Sequence, residues 1–254
     1  MSPPNTFAIV RLPLVGLHLL VAALQVAVIF PWATTAWRQR LRRIWSYQLL
    51  RLLGIRVDFQ APPTLDGLLV CNHISFIDIF VINAVLPSSF VSKDDVARWP
   101  LIGWLSRRND TLFIERGSSR AANRTLSAMR DALSAGDRLA IFPEGTSTVG
   151  DRVLPFHAAL MQSAIDAEVP VHALLLTYAD ANGRHATAPA YIDDISVLDC
   201  LIATLRSGGL RAQLTLVTSF QAPHPERRDL ARTVHQAIAG GLQQRQPCHP
   251  GTAN

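Results

Sequence analysis

From Val57 onward the chain alternates two patterns of apolar and polar positions. Short continuous apolar runs recur at Val57–Phe59, Leu68–Cys71, Phe90–Ser92, Thr111–Ile114, Arg138–Phe142, Val171–Tyr178 and Leu214–Ser219. Runs of this length bounded by turn residues predict buried strands. Helical spacing fills most of the intervals, over Phe76–Leu86, Trp99–Arg107, Ser118–Ala135, His157–Ala167, Ile195–Arg206 and Glu226–Leu242. Strands alternating with helices predict an α/β domain whose mostly parallel sheet is covered by helices on both faces. No internal repeat or low-complexity linker interrupts it.

Ahead of this domain the pattern changes. From Leu12 to Trp32 there is no formally charged residue. As a helix this run would be roughly 30 Å long, about the thickness of a hydrocarbon core. A signal peptide would have a shorter apolar region, a basic start and a small-residue cleavage site. Here only Arg11 precedes the run, and Phe30-Pro31-Trp32 is a poor site for cleavage. A membrane-associated helix is expected. Pro13, His18 and Gln25 interrupt its apolar character, so an embedded hairpin or re-entrant helix is the alternative to a spanning one. The next stretch carries Arg38, Arg40, Arg42, Arg43, Arg51 and Arg56 and no acid, interleaved with Trp37, Ile44, Trp45, Leu49, Leu52 and Leu53. Arginines and tryptophans together suit the head-group region of a bilayer. The expected division is a membrane anchor with a basic interfacial helix over 1–54, an α/β domain over 55–244 and a disordered tail over 245–254.

Composition narrows the function. About half of the 254 residues are hydrophobic, enough for a sizeable core. The formal charge of +5 and pI near 9.7 favour an anionic partner: nucleic acid, an acidic lipid surface or an acidic carrier protein. The arginines cluster beside a lipid anchor rather than on a nucleic-acid module, so nucleic acid is not expected. Three cysteines, Cys71, Cys200 and Cys248, have neither an even count nor metal-ligand spacing. Reduced thiols are expected, with the domain at the cell's inner membrane facing the cytoplasm, where the arginine-rich segment belongs.

Three polar loops leave predicted strands: "NHISFID" after Leu68–Cys71, "ERGSS" after Thr111–Ile114 and "PEGTST" after Arg138–Phe142. In open α/β sheets ligands gather at the carboxyl ends of strands, so parallel strands would bring these loops to one site. In the first loop His73 can accept a proton near neutral pH. Asp78, five residues on, could fix the imidazole tautomer and support its charged form. Ser75-x-x-Asp78 is also a capping box, which would account for Asp78 as a helix-start signal alone. No G-x-S-x-G nucleophile elbow is present, and Cys71 reads as core packing. His73, Asp78 and Glu144 would make a thin metal-ligand set, so no metal is expected. With no nucleophile of its own to activate, His73 points to a substrate hydroxyl. Arg116 and Gly117 stand before a helix start, a place suited to a phosphate or carboxylate. Glu144, between Pro143 and Gly145, could bond substrate hydroxyls or backbone amides.

Taken in order, these loops resemble the glycerolipid acyltransferase family typified by 1-acylglycerol-3-phosphate O-acyltransferase. Asn72, His73 and Asp78 match N-H-x-x-x-x-D. Phe113, Ile114, Arg116 and Gly117 match F-I-x-R-G, and Phe142 to Thr146 match F-P-E-G-T. Val169-Pro170-Val171 is similar to a fourth motif, and the likeness runs from about Gly54 to Tyr178. The resemblance implies a lysolipid O-acyltransferase with His73 as general base and Asp78 as its orienter. Arg116, Gly117, Glu144, Gly145 and Thr146 would then bind the acceptor. Acyl-CoA or acyl-carrier protein would be the co-substrate, with no cofactor and with membrane lipids as partners. Ser147 stands where many members carry an arginine, and His157 where members often carry a lysine. These departures resemble the lyso-ornithine lipid acyltransferase branch. A catalytically idle lipid-binding protein and a lipid thioesterase or hydrolase are the alternatives.

Overall fold

The computed structural model describes residues 6–62, 64–98, 100–114 and 119–245. Two helices lead, α1 (Thr6–Val28) and α2 (Thr35–Leu52), followed by strands β1 (Ile55–Gln60) and β2 (Leu68–Cys71). Then come α3 (Asp78–Val85), β3 (Ser89–Lys93), α4 (Asp94–Ala97), α5 (Pro100–Arg108), β4 (Leu112–Ile114), α6 (Ser119–Ser134) and β5 (Leu139–Ile141). A 3-10 turn (Ala158–Met161) leads into α7 (Gln162–Asp166), and β6 (Val171–Ala179), α8 (Val197–Arg206), β7 (Leu210–Phe220) and α9 (Arg227–Arg245) complete the chain.

The seven strands form one sheet in the order β1-β7-β6-β2-β5-β3-β4. From β6 to β4 every neighbour is parallel, whereas β7 runs antiparallel to β6 and parallel to β1. The sheet is therefore mostly parallel, as the alternating pattern predicts. β2 shows why its sequence is uniformly apolar. Leu69 and Cys71 enter a core with α2, α3 and α8, and Leu68 and Val70 enter a second core with α6, α7 and α9. All four residues are buried, the pattern of a strand covered on both faces.

Several boundaries differ from the sequence reading. The helix expected from Phe76 begins at Asp78, because Ser75 to Ile77 form the turn that precedes it. The run His157–Ala167 splits into the 3-10 turn and α7. The final strand extends to Leu210 and Phe220. The tail beyond Arg245, with Cys248, lies outside the described residues.

The apolar N-terminal run ends its helix at Val28, short of Trp32. Between Val10 and Val28, α1 is long and apolar enough to cross a membrane. It has two apolar faces. Val15, Ala22 and Val26 are buried, whereas Val10, Leu14, Leu17, Leu20, Leu24 and Val28 form an exposed stripe at helical spacing. The buried face lies against α2, α5 and α8. His18 and Trp45 clasp α1 to α2: their rings stack at 5.1 Å, the indole N–H donates to the His18 carbonyl, and the His18 ring bonds the Trp45 carbonyl.

The arginines of α2 divide between two tasks. Arg38 donates to the Phe30 carbonyl in the turn that follows α1, and Arg43 donates to the Val85 carbonyl. Arg42 is buried and pairs with Asp110 while bonding Asn109. Arg40 and Arg51 lie over the exposed rings of Trp37 and Tyr47. Trp32, 89% exposed, caps the bend between the helices.

Candidate active site

Because β2, β5 and β4 are parallel, the loops following them leave the same edge of the sheet. β2 and β5 are direct neighbours, so the loops carrying His73 and Glu144 meet side by side. β4 lies at the sheet edge, and Arg116 and Gly117, just past its end, lie outside the described residues.

Asn72 continues β2 by means of its side chain. Its amide donates to the Leu176 carbonyl at 3.0 Å and accepts from the Leu176 N–H at 2.8 Å. The chain can then turn away after Cys71 without orphaning the polar groups of β6. The turn that follows is organised around Asp78, which is fully buried. One carboxylate oxygen, Oδ2, accepts from the backbone N–H groups of Ile74 (2.7 Å) and Ser75 (2.9 Å) and from Nδ1 of His73 (2.9 Å). The other, Oδ1, accepts from the Tyr178 hydroxyl at 2.8 Å. The Ser75 hydroxyl accepts from the Ile77 N–H, whereas the Asp78 N–H donates to the Ser75 carbonyl at 3.0 Å, so only the half of the capping box that runs from the Ser75 N–H to Asp78 forms. The same carboxylate oxygen thus holds the Ser75 N–H and supports His73, while α3 itself starts after Ile77 without a side-chain cap.

His73 is 22% exposed on its side chain, in contrast to the fully buried Asp78. Its ring stacks on Phe142 at 4.2 Å with 18° between planes. With Nδ1 donating to the carboxylate, Nε2 keeps its lone pair and can accept a proton from a bound hydroxyl.

The loop after β5 locks onto the backbone of His73. Glu144 accepts from the His73 N–H through Oε1 at 2.8 Å and from the Leu154 N–H through Oε2 at 2.7 Å. Both oxygens are therefore engaged by amides of the chain. Burial pushes the Glu144 carboxyl above its ordinary range, against the opposing pull of those two N–H groups. Thr148 N–H donates to the His73 carbonyl at 3.0 Å. Gly145 has φ +67°, and a Cβ there would meet the His157 ring at 3.1 Å. Thr146 is exposed. The hydroxyl of Ser147 donates to the Tyr191 carbonyl, and the Tyr191 N–H donates to the Ile74 carbonyl at 2.9 Å. Phe76 meets the Tyr191 ring edge-on at 5.4 Å. The segment after β6 therefore straps both loops together.

Cys71 lies wholly within the core, and burial holds its thiol well above its usual range. That environment suits packing, not nucleophilic attack. Sequence reasoning missed the contributions of Tyr178, Tyr191 and Leu176. None of them carries a local signal, because each acts through strand register or a long-range loop contact.

Comparison with known proteins follows the same residues. The acyltransferase family profile matches residues 55–177. A lyso-ornithine lipid O-acyltransferase from Pseudomonas aeruginosa is 38% identical over 80% of this chain and 79% of its own length. A 1-acyl-sn-glycerol-3-phosphate acyltransferase from Neisseria gonorrhoeae is 36% identical over 69% of each chain. The crystal structure of the 1-acyl-sn-glycerophosphate acyltransferase from Thermotoga maritima superposes with a TM-score of 0.65 at 17% identity. It covers 97% of this chain and all of the other, a likeness of fold.

Proposed function

This chain belongs to the acyltransferase family, and on that premise we propose that it is a lysolipid O-acyltransferase with His73 as its general base. The observation that carries the mechanism is the His73 ring, open to solvent on one side and fixed from behind by buried Asp78. In the reaction His73 Nε2 removes the proton from the acceptor hydroxyl as its oxygen attacks the thioester carbonyl. The new C–O bond forms, the C–S bond breaks, and the proton passes from the imidazolium to the departing thiolate of acyl-CoA or acyl-carrier protein. Asp78 supports the imidazolium, which strengthens base catalysis in the transition state.

Acceptor choice follows from Ser147. A phosphate dianion held near protein needs several strong donors to offset its lost hydration. At this position the side chain is a hydroxyl already committed to the Tyr191 carbonyl. This supports an amino-acid-headed acceptor such as lyso-ornithine lipid over lysophosphatidic acid, with Arg116, Gly117 and the Gly145–Thr146 turn as the acceptor-binding residues. Glu144 would serve that site by holding the loop through its two amide bonds.

The exposed stripe of α1, continued by Trp32 and Trp37, supports a membrane-seated protein. Since the opposite face of α1 packs on the domain, embedding within one leaflet fits better than spanning, with the site on the cytoplasmic side. Residues 1–54 are then the membrane-seated part and 55–244 the acyltransferase domain.

The test uses purified enzyme with labelled acyl-CoA and acyl-carrier protein against both lysolipids, read by mass spectrometry. His73→Ala should remain folded and lose about 10²–10⁴-fold in turnover. Near wild-type turnover in that variant refutes the mechanism. Free fatty acid as the main product would indicate a thioesterase, and strong preference for lysophosphatidic acid would refute the acceptor assignment.

A further inference from the structure

We propose that Tyr178 is a positioning residue for the acyl transfer, setting the proton affinity of His73 through the far oxygen of Asp78. This rests on the reading of His73 as general base. Tyr178 comes from β6, outside every motif singled out in the sequence, and is fully buried. Its hydroxyl donates to Oδ1 of Asp78 at 2.8 Å, while Oδ2 takes His73 and the two backbone amides. A packing role alone would be met by phenylalanine. A buried phenol aimed at a buried carboxylate instead shares that carboxylate's negative charge.

The direction of the effect follows from the charge. Burial and the adjacent carboxylate push the phenol well above its usual range, so it stays protonated and donates. The bond draws charge toward Oδ1 and away from the oxygen that faces His73. Removing it leaves more negative charge on Oδ2 and raises the proton affinity of the imidazole. A base that stays protonated to higher pH is unavailable at lower pH. The other titratable groups around Asp78 are Glu144, Cys71 and Cys200. Burial keeps the two thiols uncharged, and Glu144 already bonds two amides.

β6 thereby holds both ends of the catalytic turn. The Leu176 backbone pins Asn72 at its start, and the Tyr178 hydroxyl pins Asp78 at its end, two residues apart on the same strand.

The experiment measures pH–rate profiles of the full-length enzyme with its lysolipid. In Tyr178→Phe, kcat/KM at pH values on the wild-type acid limb should fall on the order of tenfold, the change expected when one hydrogen bond to a charged group is lost and the base stays protonated to higher pH. The acceptor KM should stay within about twofold, since Tyr178 does not reach the acceptor, and the acid limb of kcat/KM should move to higher pH. Should Tyr178→Phe fail to fold, a fluorotyrosine placed at position 178 decides. Its more acidic phenol is a stronger donor of nearly the same shape, and the acid limb should move to lower pH. An acid limb unmoved in the folded variant overturns the proposal, as does a wild-type kcat/KM on that limb in Tyr178→Phe. Full activity in His73→Ala, measured alongside, would instead overturn the base assignment itself, so the two failures are distinct.

Discussion

Replacing Glu144 by glutamine separates stability from catalysis. In the native protein each carboxylate oxygen accepts one amide, from His73 at 2.8 Å and from Leu154 at 2.7 Å. Bonds to a charged acceptor contribute about 1.5–3 kcal/mol each. Burial nevertheless raises the proton affinity of Glu144, so folding disfavours its ionisation despite both bonds. Its contribution to stability therefore declines as pH rises from about 4.5 through the raised folded value. Glutamine keeps the shape and one acceptor oxygen but turns an NH2 group toward the second amide. The lost charge-assisted bond and the burial penalty removed with the charge nearly offset one another. The expected net destabilisation is about 0–2 kcal/mol, a few degrees in Tm for a chain of this size.

The catalytic effect should be larger, because one of the two amides belongs to His73. If the turn shifts to separate the facing donors, the imidazole leaves its attack geometry. Misplacement of about 1 Å can cost on the order of 10²-fold, and we expect a loss of at least about tenfold in kcat. The assay pairs steady-state kinetics with amide hydrogen exchange at His73 and Leu154, one of which should exchange faster in Glu144→Gln. Wild-type kcat with unchanged exchange at both amides would refute the clamp. Destabilisation beyond about 4 kcal/mol would refute the cancellation.

Three further outcomes are expected. Asn72→Ala leaves the Leu176 N–H and carbonyl without their side-chain partners inside the core, which should cost about 2–5 kcal/mol in thermal or denaturant unfolding. Gly67→Ala drives a Cβ into the Pro170 carbonyl oxygen at φ +105°; it should destabilise by at least about 3 kcal/mol, and a loss below about 1 kcal/mol would contradict the geometry. His172 is buried, bonds Ser219 and the Asp66 carbonyl, and has its pKa lowered chiefly by burial. Its contribution is present above about pH 6.5 and lost as pH falls from there through the lowered folded value, and His172→Gln should flatten that part of the unfolding profile.

Much of the fold was legible because each element carries its own local signal. Leu68–Cys71 reads as doubly covered from four consecutive apolar residues, and the structure buries all four between two cores. Strand direction has no comparable local signal. The antiparallel turn of β7 against β6 depends on the path through α8, which apolar spacing does not encode. The closeness of His73 and Asp78 was legible from their five-residue separation. The bonds from Tyr178 to Asp78 and from Ser147 to Tyr191 join residues 100 and 44 positions apart. The first follows from the register of β2 on β6, set by the whole sheet, and the second from a contact between the loops after β5 and β6. Glu144 carried a motif but not its partners, since either amides or a substrate could satisfy the same carboxylate.

The two apolar faces of α1 bear on how a water-soluble form could be made. Removing a membrane helix is the usual route to a crystallisable domain. Here deletion through Pro31 would strip the cover from the seat that Val15, Ala22 and Val26 occupy against α2 and α8. It would also take away the ring that stacks on Trp45, whose indole in turn meets Phe80 of α3 edge-on. The truncated chain would exchange one greasy surface for another, and the fresh one would adjoin the helix that begins at Asp78. Solubility is better sought by recoding the outward stripe, Leu14, Leu17, Leu20 and Leu24, with polar residues while the inward face stays intact.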